Sequence, residues 1–326
     1  MKAALPFGLL CAAILPVIAQ GSLSRLERLS ISGIDHVRLE DWARANHFQA
    51  RWTVPKQELQ LTSSSRALVF TVDSARISLD GIAVWLSAPI ALRNGAAWIA
   101  VVDITTAIVP LLFPSRNPAN KPIRHIVLDP GHGGKDPGNQ KGGQQEKTFT
   151  LLLAKEVAQL LNKAGFKATL TRTSDSFVKL PVRPDIARQR GADLFVSLHF
   201  NSFIEPTVKG VEVYCMTPAH TSSTKDPREV GARVGAYPGN RCDARNILLG
   251  YQIQKSLLKS IAAEDRGVRR ERYAVLRSAE MPAVLIEGGF MSNPAEARRI
   301  YDPAARRQMA QAIVEGLKAY RNLVEP

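Results

Sequence analysis

Two hydrophobic rhythms divide this chain. Up to about residue 112, apolar residues come in short alternating bursts separated by turn formers, which predicts strands at 48–52, 58–62, 68–72 and 76–79 and one short helix over 39–48. From residue 126 the text changes to strand and helix in alternation. Three consecutive apolar residues at 126–128, closed by Pro130 and Gly131, predict a strand buried on both faces. The stretch 146–164 then places Phe149, Leu152, Leu153, Val157, Leu160 and Leu161 on one helical face and stops at Gly165. Further strands are predicted at 167–171, 194–198, 211–215, 274–276 and 283–286. Helices are predicted at 183–190, 246–263 and 304–323, with a short one capped by Asn293 ahead of Pro294. The expected architecture is therefore α/β: a twisted, mostly parallel sheet flanked by helices over 123–326, preceded by a small α+β domain over 22–112. Between them 113–122 holds Pro114, Pro118 and Pro122 without periodicity and reads as a linker.

Composition changes this picture in two places. Lys2 is followed by uncharged residues through Val17-Ile18-Ala19, which predicts a signal peptide over 1–19 and export to the periplasm or cell envelope. An uncleaved anchor is the rival reading, although Pro6 and Pro16 interrupt a segment already short for a span. After cleavage no stable membrane span is expected. Cys11 would leave with the leader, and Cys215 and Cys242 could then pair or stay free; spacing alone decides neither. The formal net charge of +14 suits an anionic wall polymer, lipid headgroups, or simply a solvated basic surface. Without arginine-rich blocks interleaved with aromatics, nucleic acid is not an expected partner.

The chemistry concentrates at predicted strand ends. In α/β sheets, ligands collect beyond the carboxyl ends of parallel strands. His132, His199 and Glu287 each follow or terminate such a strand, and Glu146 opens the helix after the first of them. Two imidazoles and a carboxylate form a recurring zinc ligand set, and a further carboxylate off the metal can act as general base. Each residue also has an ordinary reading: Glu146 as a helix-dipole partner, His199 as a satisfied strand-end histidine, Glu287 as half of a buried ion pair. His36 and His47 are too isolated to be argued as ligands. The chain lacks H-E-x-x-H, G-x-S-x-G, C-x-x-C and P-loop patterns, and Ser197 has no evident acid partner in the text, which disfavours a serine hydrolase.

At these residues a family likeness enters. The blocks IVLDPGHGGKDPGN, ADLFVSLHFNS, GVEVYC, DRGV and VLRSAEMPAVLIEGGFMSNPAEA, in this order over 124–323, resemble the zinc-dependent N-acetylmuramoyl-L-alanine amidases of the type 3 family. The resemblance implies one Zn2+ held by His132, Glu146 and His199, with Glu287 as the catalytic carboxylate. It further implies peptidoglycan as substrate, cut by zinc-activated water at the amide between the lactyl group of N-acetylmuramic acid and L-alanine. Arg183 and Asn201 are implied as substrate-binding or supporting residues; Lys135 and Asp136 read as structural, not catalytic, members of the loop that spaces His132 from Glu146. Ala187-Arg188 departs from the family's usual Ala-Asn. Some members carry an inserted helix that blocks the metal; here 217–245 is short, polar and punctuated by Pro and Gly, so an unobstructed site is expected. The first domain resembles the small N-terminal domain named after copper amine oxidases, which implies a wall-facing module or a contact for a wall or activator protein. Two other readings stay open: a non-catalytic wall-binding relative, and an exported zinc amidohydrolase or carboxypeptidase acting on a different amide.

Overall fold

The computed structural model describes residues 23–118, 121–225 and 235–325. The expected signal peptide over 1–19, and most of the centre of the 217–245 stretch, lie outside the described residues.

The amino-terminal part runs β1 (Arg28–Ile31), β2 (Ile34–Arg38), α1 (Leu39–Ala45), β3 (Gln49–Val54), β4 (Glu58–Thr62), β5 (Ala67–Thr71), β6 (Arg76–Leu79), β7 (Ile82–Trp85), β8 (Ala91–Arg93) and β9 (Ala96–Ala100). A helical stretch over 101–112 follows, with a π-turn at Ile104–Ile108. Strands β1, β2, β9 and β8 form a small antiparallel sheet. Strands β3 to β7 form an antiparallel meander whose period-two pattern buries Leu59 and Leu61, Leu68 and Phe70, Ile77 and Leu79 on one face.

The second part contains β10 (His125–Pro130), the tiny hairpin β11 (Gln140–Lys141) and β12 (Gln144–Gln145), α2 (Glu146–Lys163), β13 (Lys167–Leu170), α3 (Val182–Gln189) and β14 (Leu194–Asn201). It continues with β15 (Val211–Met216), α4 (Asp243–Ser260), β16 (Asp265–Glu271), α5 (Ala274–Arg277), β17 (Ala283–Phe290), α6 (Pro294–Tyr301) and α7 (Pro303–Val324). Strands β13, β10, β14 and β17 are parallel neighbours, β15 runs antiparallel to β17, and β16 is parallel to β15. All six residues of β10 and all eight of β17 are buried, as expected for strands covered by helices on both faces.

The sheet does not stop at the proline-rich stretch between the two parts. Strand β7 pairs in parallel with β16 at Val84 and Val268, so the meander extends the sheet to eleven strands in the order β13-β10-β14-β17-β15-β16-β7-β6-β5-β4-β3. Asp265 accepts a hydrogen bond from Ala83 N at 2.8 Å, Trp85 Nε1 donates to Arg266 O at 3.0 Å, and Tyr251 of α4 donates to Leu79 O at 3.1 Å. One continuous apolar core spans both parts.

One predicted element is corrected. Residues 274–276 are not a strand: Ala274–Arg277 is a single helical turn, and the strand is the charged segment Asp265–Glu271 before it. Its sequence, DRGVRRE, has only Val268 as an apolar β former, so no local pattern announces it. Pairing with β15 on one side and β7 on the other makes it a strand. Cys215 and Cys242 are free and buried, Cys215 donating to Asn246 O at 3.1 Å. No helix among the described residues is long and apolar enough to cross a membrane.

Candidate metal centre and catalytic cleft

The carboxyl end of β10 delivers the first site residue. The chain leaves the strand at Pro130, and His132 takes a left-handed backbone (φ 61°), a strained conformation for a residue with a side chain. Two buried arginines hold it there. Arg183 of α3 donates to Asp129 Oδ1 and Pro130 O at 2.9 Å each and to His132 O at 2.8 Å. Arg172, just past β13, donates to Pro130 O at 3.0 Å and Gly131 O at 2.8 Å. Gly131 itself is required by contact: a Cβ there would lie 2.2 Å from the His199 ring.

Glu146 is the first residue of α2 and is almost wholly buried. Its two oxygens are divided between the histidines, Oε2 standing 3.1 Å from His132 Nε2 and Oε1 3.0 Å from His199 Nδ1. Backbone and side chain of Asn139 both donate to Oε2 at 2.9 Å, and Phe200 N donates to Oε1 at 3.0 Å. Burial alone would raise this carboxyl, but hydrogen bonds and charge from His132 and His199 hold it far below the usual carboxylate range. The two rings stand edge to face with centroids 4.9 Å apart. On the outer side of His132, Nδ1 is 2.9 Å from Asp136 Oδ2. Burial pulls the His132 imidazole down, yet Glu146 and Asp136 together leave it raised.

One nitrogen of each histidine and one Glu146 oxygen lie within 4.8 Å of one another, close enough for a single ion to take all three. The donor set suits a borderline cation such as zinc, with two imidazoles, one ionised carboxylate, and a second carboxylate behind His132 to fix its tautomer.

Glu287, on β17, faces the same cavity of about 330 Å3 as His132, Glu146 and His199. Its backbone is the register partner of His199 on β14. The side chain is buried and its Oε2 has no hydrogen-bond partner. Burial first, then the charges of Glu146 and Glu212, push this carboxyl well above its ordinary value, against a lowering influence from Lys225. Leu180, Val275 and Leu285 add apolar side chains to the lining, and Tyr273 adds an aromatic ring. None of the described residues of 217–245 lines it; 226–234 lie outside the described residues.

The structure thus brings His132, Glu146, His199 and Glu287 together, while Arg183 sits beneath the His132 loop and not in the cavity. Asn201 is also outside it, donating to Glu212 Oε1 at 2.8 Å. Ser197 has an acid partner after all, Asp129 Oδ2 at 2.8 Å, but that carboxylate is shared with Arg183 and Thr171 in a buried network, with no histidine between. Sequence reasoning missed Arg172, Tyr273 and the role of Asp136. An aspartate four residues beyond a candidate ligand histidine was the available signal for the last of these.

The chain is similar to known amidases. The profile of a family described as N-acetylmuramoyl-L-alanine amidase matches residues 126–319. The chain is 37% identical over 219 residues to N-acetylmuramoyl-L-alanine amidase AmiC of Neisseria meningitidis serogroup B, covering 60% of this chain and 52% of that protein. It is 33% identical over 259 residues to N-acetylmuramoyl-L-alanine amidase AmiA of Escherichia coli K12, covering 70% of this chain and 90% of the relative. The chain therefore spans about half of the Neisseria relative (52%) and most of the Escherichia one (90%). Among solved structures, N-acetylmuramoyl-L-alanine amidase AmiC2 of Nostoc punctiforme superposes with TM-score 0.50 at 34% identity, over 60% of this chain and 96% of that one. The catalytic domain of the amidase CwlV from Bacillus (Paenibacillus) polymyxa var. colistinus superposes with TM-score 0.51 at 29% identity, over 61% of this chain and 99% of that one.

Proposed function

The chain belongs to the N-acetylmuramoyl-L-alanine amidase family, and we propose that it hydrolyses peptidoglycan at the amide joining the lactyl group of N-acetylmuramic acid to L-alanine of the stem peptide. The observation that carries this reading is the convergence of His132, Glu146 and His199 within 4.8 Å, beside a buried Glu287 with an unpartnered oxygen. His132, Glu146 and His199 are the ligands of one zinc ion, and Glu287 is the catalytic base. Bound there, zinc supplies a Lewis acid that polarises the scissile carbonyl, acidifies the attacking water and offsets the Glu146 charge that raises Glu287.

The chain's own residues do the rest. Glu287 Oε2, free of any competing donor, takes a proton from the attacking water and returns it to the leaving L-alanine nitrogen. Asp136 orients His132 by holding Nδ1, which leaves Nε2 facing the metal position. Arg183 and Arg172 fix the backbone that carries His132, so their role is positioning. Asn201 acts one step further out, by orienting Glu212. The apolar wall of Leu180, Val275 and Leu285 limits competing water around the base.

The stretch 1–19, in which Lys2 is followed by uncharged residues, supports export of this activity to the periplasm or cell envelope, where the substrate is. The amino-terminal part, with its exposed outer strand β3, is the segment proposed to face the wall or an activator protein. The deciding experiment is mass analysis of muropeptides digested by the purified chain, with and without chelator. Intact stem peptides released from glycan, with the release abolished by chelator, are expected. Shortened stem peptides with the muramic acid linkage intact would instead indicate a carboxypeptidase and overturn the assignment.

A further inference from the structure

The cavity has two chemically different ends. His132, Glu146 and His199 come from the loop after β10, from the start of α2 and from β14, and β10 and β14 lie to one side of β17 in the sheet. Glu287 stands on β17 itself, and Tyr273, Val275 and Leu285 continue the lining beside it. Leu285 precedes Glu287 by two positions and so shares its face of the strand. Tyr273 and Val275 come from the start of α5, which packs over β15 and β17, the side of the base away from β10. This apolar end is rigid. Val275 and Leu285 are each only 4% exposed and belong to an apolar cluster with Val127, Phe195, Tyr214 and Met216. The Tyr273 ring meets Tyr214 edge to face at 5.2 Å, and its hydroxyl accepts a hydrogen bond from Lys225 Nζ at 2.6 Å. Side chains packed in this way yield little to an incoming group, so the space they leave has a fixed size.

The reaction decides which part of the substrate reaches that space. Glu287 returns a proton to the leaving nitrogen, so the nitrogen lies within hydrogen-bond reach of Oε2. The α-carbon bonded to that nitrogen then lies at the Glu287 end of the cavity, with its side chain directed among the residues that line this end. Alanine presents a single methyl group there. We infer that Val275, Leu285 and the Tyr273 ring form the pocket for the side chain of the residue whose amine leaves, and restrict it to a small apolar group. This deepens the amidase reading and rests on it.

The test uses the full chain loaded with zinc and synthetic muramyl peptides that differ only in their first residue: glycine, L-alanine or L-valine. The native protein is expected to favour alanine over glycine about tenfold in kcat/KM, the low end of what one methyl group in an apolar pocket contributes. Valine overfills a pocket of fixed size and should be cleaved about tenfold less well than alanine. Val275→Ala opens the pocket and should raise the valine-to-alanine ratio about tenfold, and Leu285→Val, which removes one methylene, should shift it in the same direction. A gain on the larger substrate is not what lost packing alone produces. Zinc content and a melting curve identify which variants are folded, and the milder Leu285→Val keeps the test open if Val275→Ala is not. Equal cleavage of the glycine and alanine substrates by the native protein, or an unchanged valine-to-alanine ratio in a folded, zinc-loaded variant, would overturn the inference. So would a shift confined to lactyl against glycolyl substrates, which would put the acyl-side methyl in the pocket. Each of these outcomes leaves the amidase reading standing. Cleavage of none of the substrates at this amide would overturn that reading, and the pocket with it.

Discussion

Glu212 and Glu287 are register partners on the antiparallel strands β15 and β17, yet they live in opposite circumstances. Glu212 is saturated: Arg266 and Arg269 donate to Oε2 at 2.9 and 2.8 Å, and Asn201 and Tyr214 donate to Oε1 at 2.8 Å each. Charge from Arg269, ahead of Arg266, overcomes burial and holds this carboxyl below its ordinary range. Glu287 has an empty Oε2 and is pushed up. Two neighbouring carboxylates with their proton affinities forced apart divide the work: one is structural, the other is left with capacity for a proton. The structural one also ties in the amino-terminal part, because the Arg269 guanidinium lies over the Trp85 ring at 4.7 Å.

Replacing the free member should separate chemistry from metal binding. Glu287→Gln is expected to lower kcat by a factor on the order of 100 to 10,000, the span typical of a lost general acid-base group. Zinc content should stay at the native level, since Glu287 is outside the group of three ligand atoms. Thermal stability should be equal or higher, because a buried carboxylate without a partner is removed. Native hydrolysis by a zinc-loaded Glu287→Gln protein would refute the assignment.

Asp136 is placed to act through His132 on a metal held at this site. Its Oδ2 holds Nδ1 at 2.9 Å, while its Oδ1 accepts from Gly138 N at 3.1 Å, so the carboxylate braces both ring and loop. Asp136→Ala should weaken zinc by roughly 10- to 100-fold. Competition with a chelator of known affinity reads this directly, and excess zinc should restore much of the activity. Unchanged affinity would reduce Asp136 to a loop residue.

The close approach at Gly131 allows a sharper mutation. A methyl group there would meet three atoms of the His199 ring at 2.2 to 2.6 Å, too near for any small adjustment. Gly131→Ala is expected to displace His199 and abolish stoichiometric zinc binding, with the far-ultraviolet spectrum of the fold retained. Metal analysis of the purified variant decides it; a full equivalent of zinc would show that the ring can yield.

The four central residues were legible because one rule governs them all. His132 follows β10, His199 and Glu287 lie in the carboxyl-terminal halves of β14 and β17, which run on past their predicted ends, and Glu146 opens the helix after β10, so that parallel strands present all four toward one edge. What was not legible came from pairing across long distances. Strand β16 reads as a charged loop until β15 and β7 flank it, and its arginines make sense only opposite Glu212 and Trp85. Ser197 finds Asp129 across the neighbouring strand, a distance of 68 residues in sequence. The continuation of the sheet through β7 was hidden for the same reason, since the proline-rich stretch marks a break in the chain's pattern and says nothing about which edges later meet.

A pH measurement probes a half-buried carboxyl outside the cleft. Asp243 opens α4, and burial raises its pKa to about 6, against the lowering influence of Arg270 and of a hydrogen bond from Asn240. A carboxyl whose folded pKa lies above its unfolded value binds its proton more tightly in the folded chain. Its contribution to stability is fully present below the unfolded value of 3.8 and is lost as pH rises through about 6. Asn240 Nδ2 reaches both Asp243 oxygens at 3.1 and 3.2 Å, and an asparagine would keep one acceptor for it. Asp243→Asn should therefore match the native protein near the acid end of this window and exceed it above the window. The gap is expected on the order of 3 kcal/mol, from about 1.4 kcal/mol per pKa unit. Denaturant melts of both proteins across the window measure it, and a gap that stays constant with pH would show that Asp243 is ionised throughout.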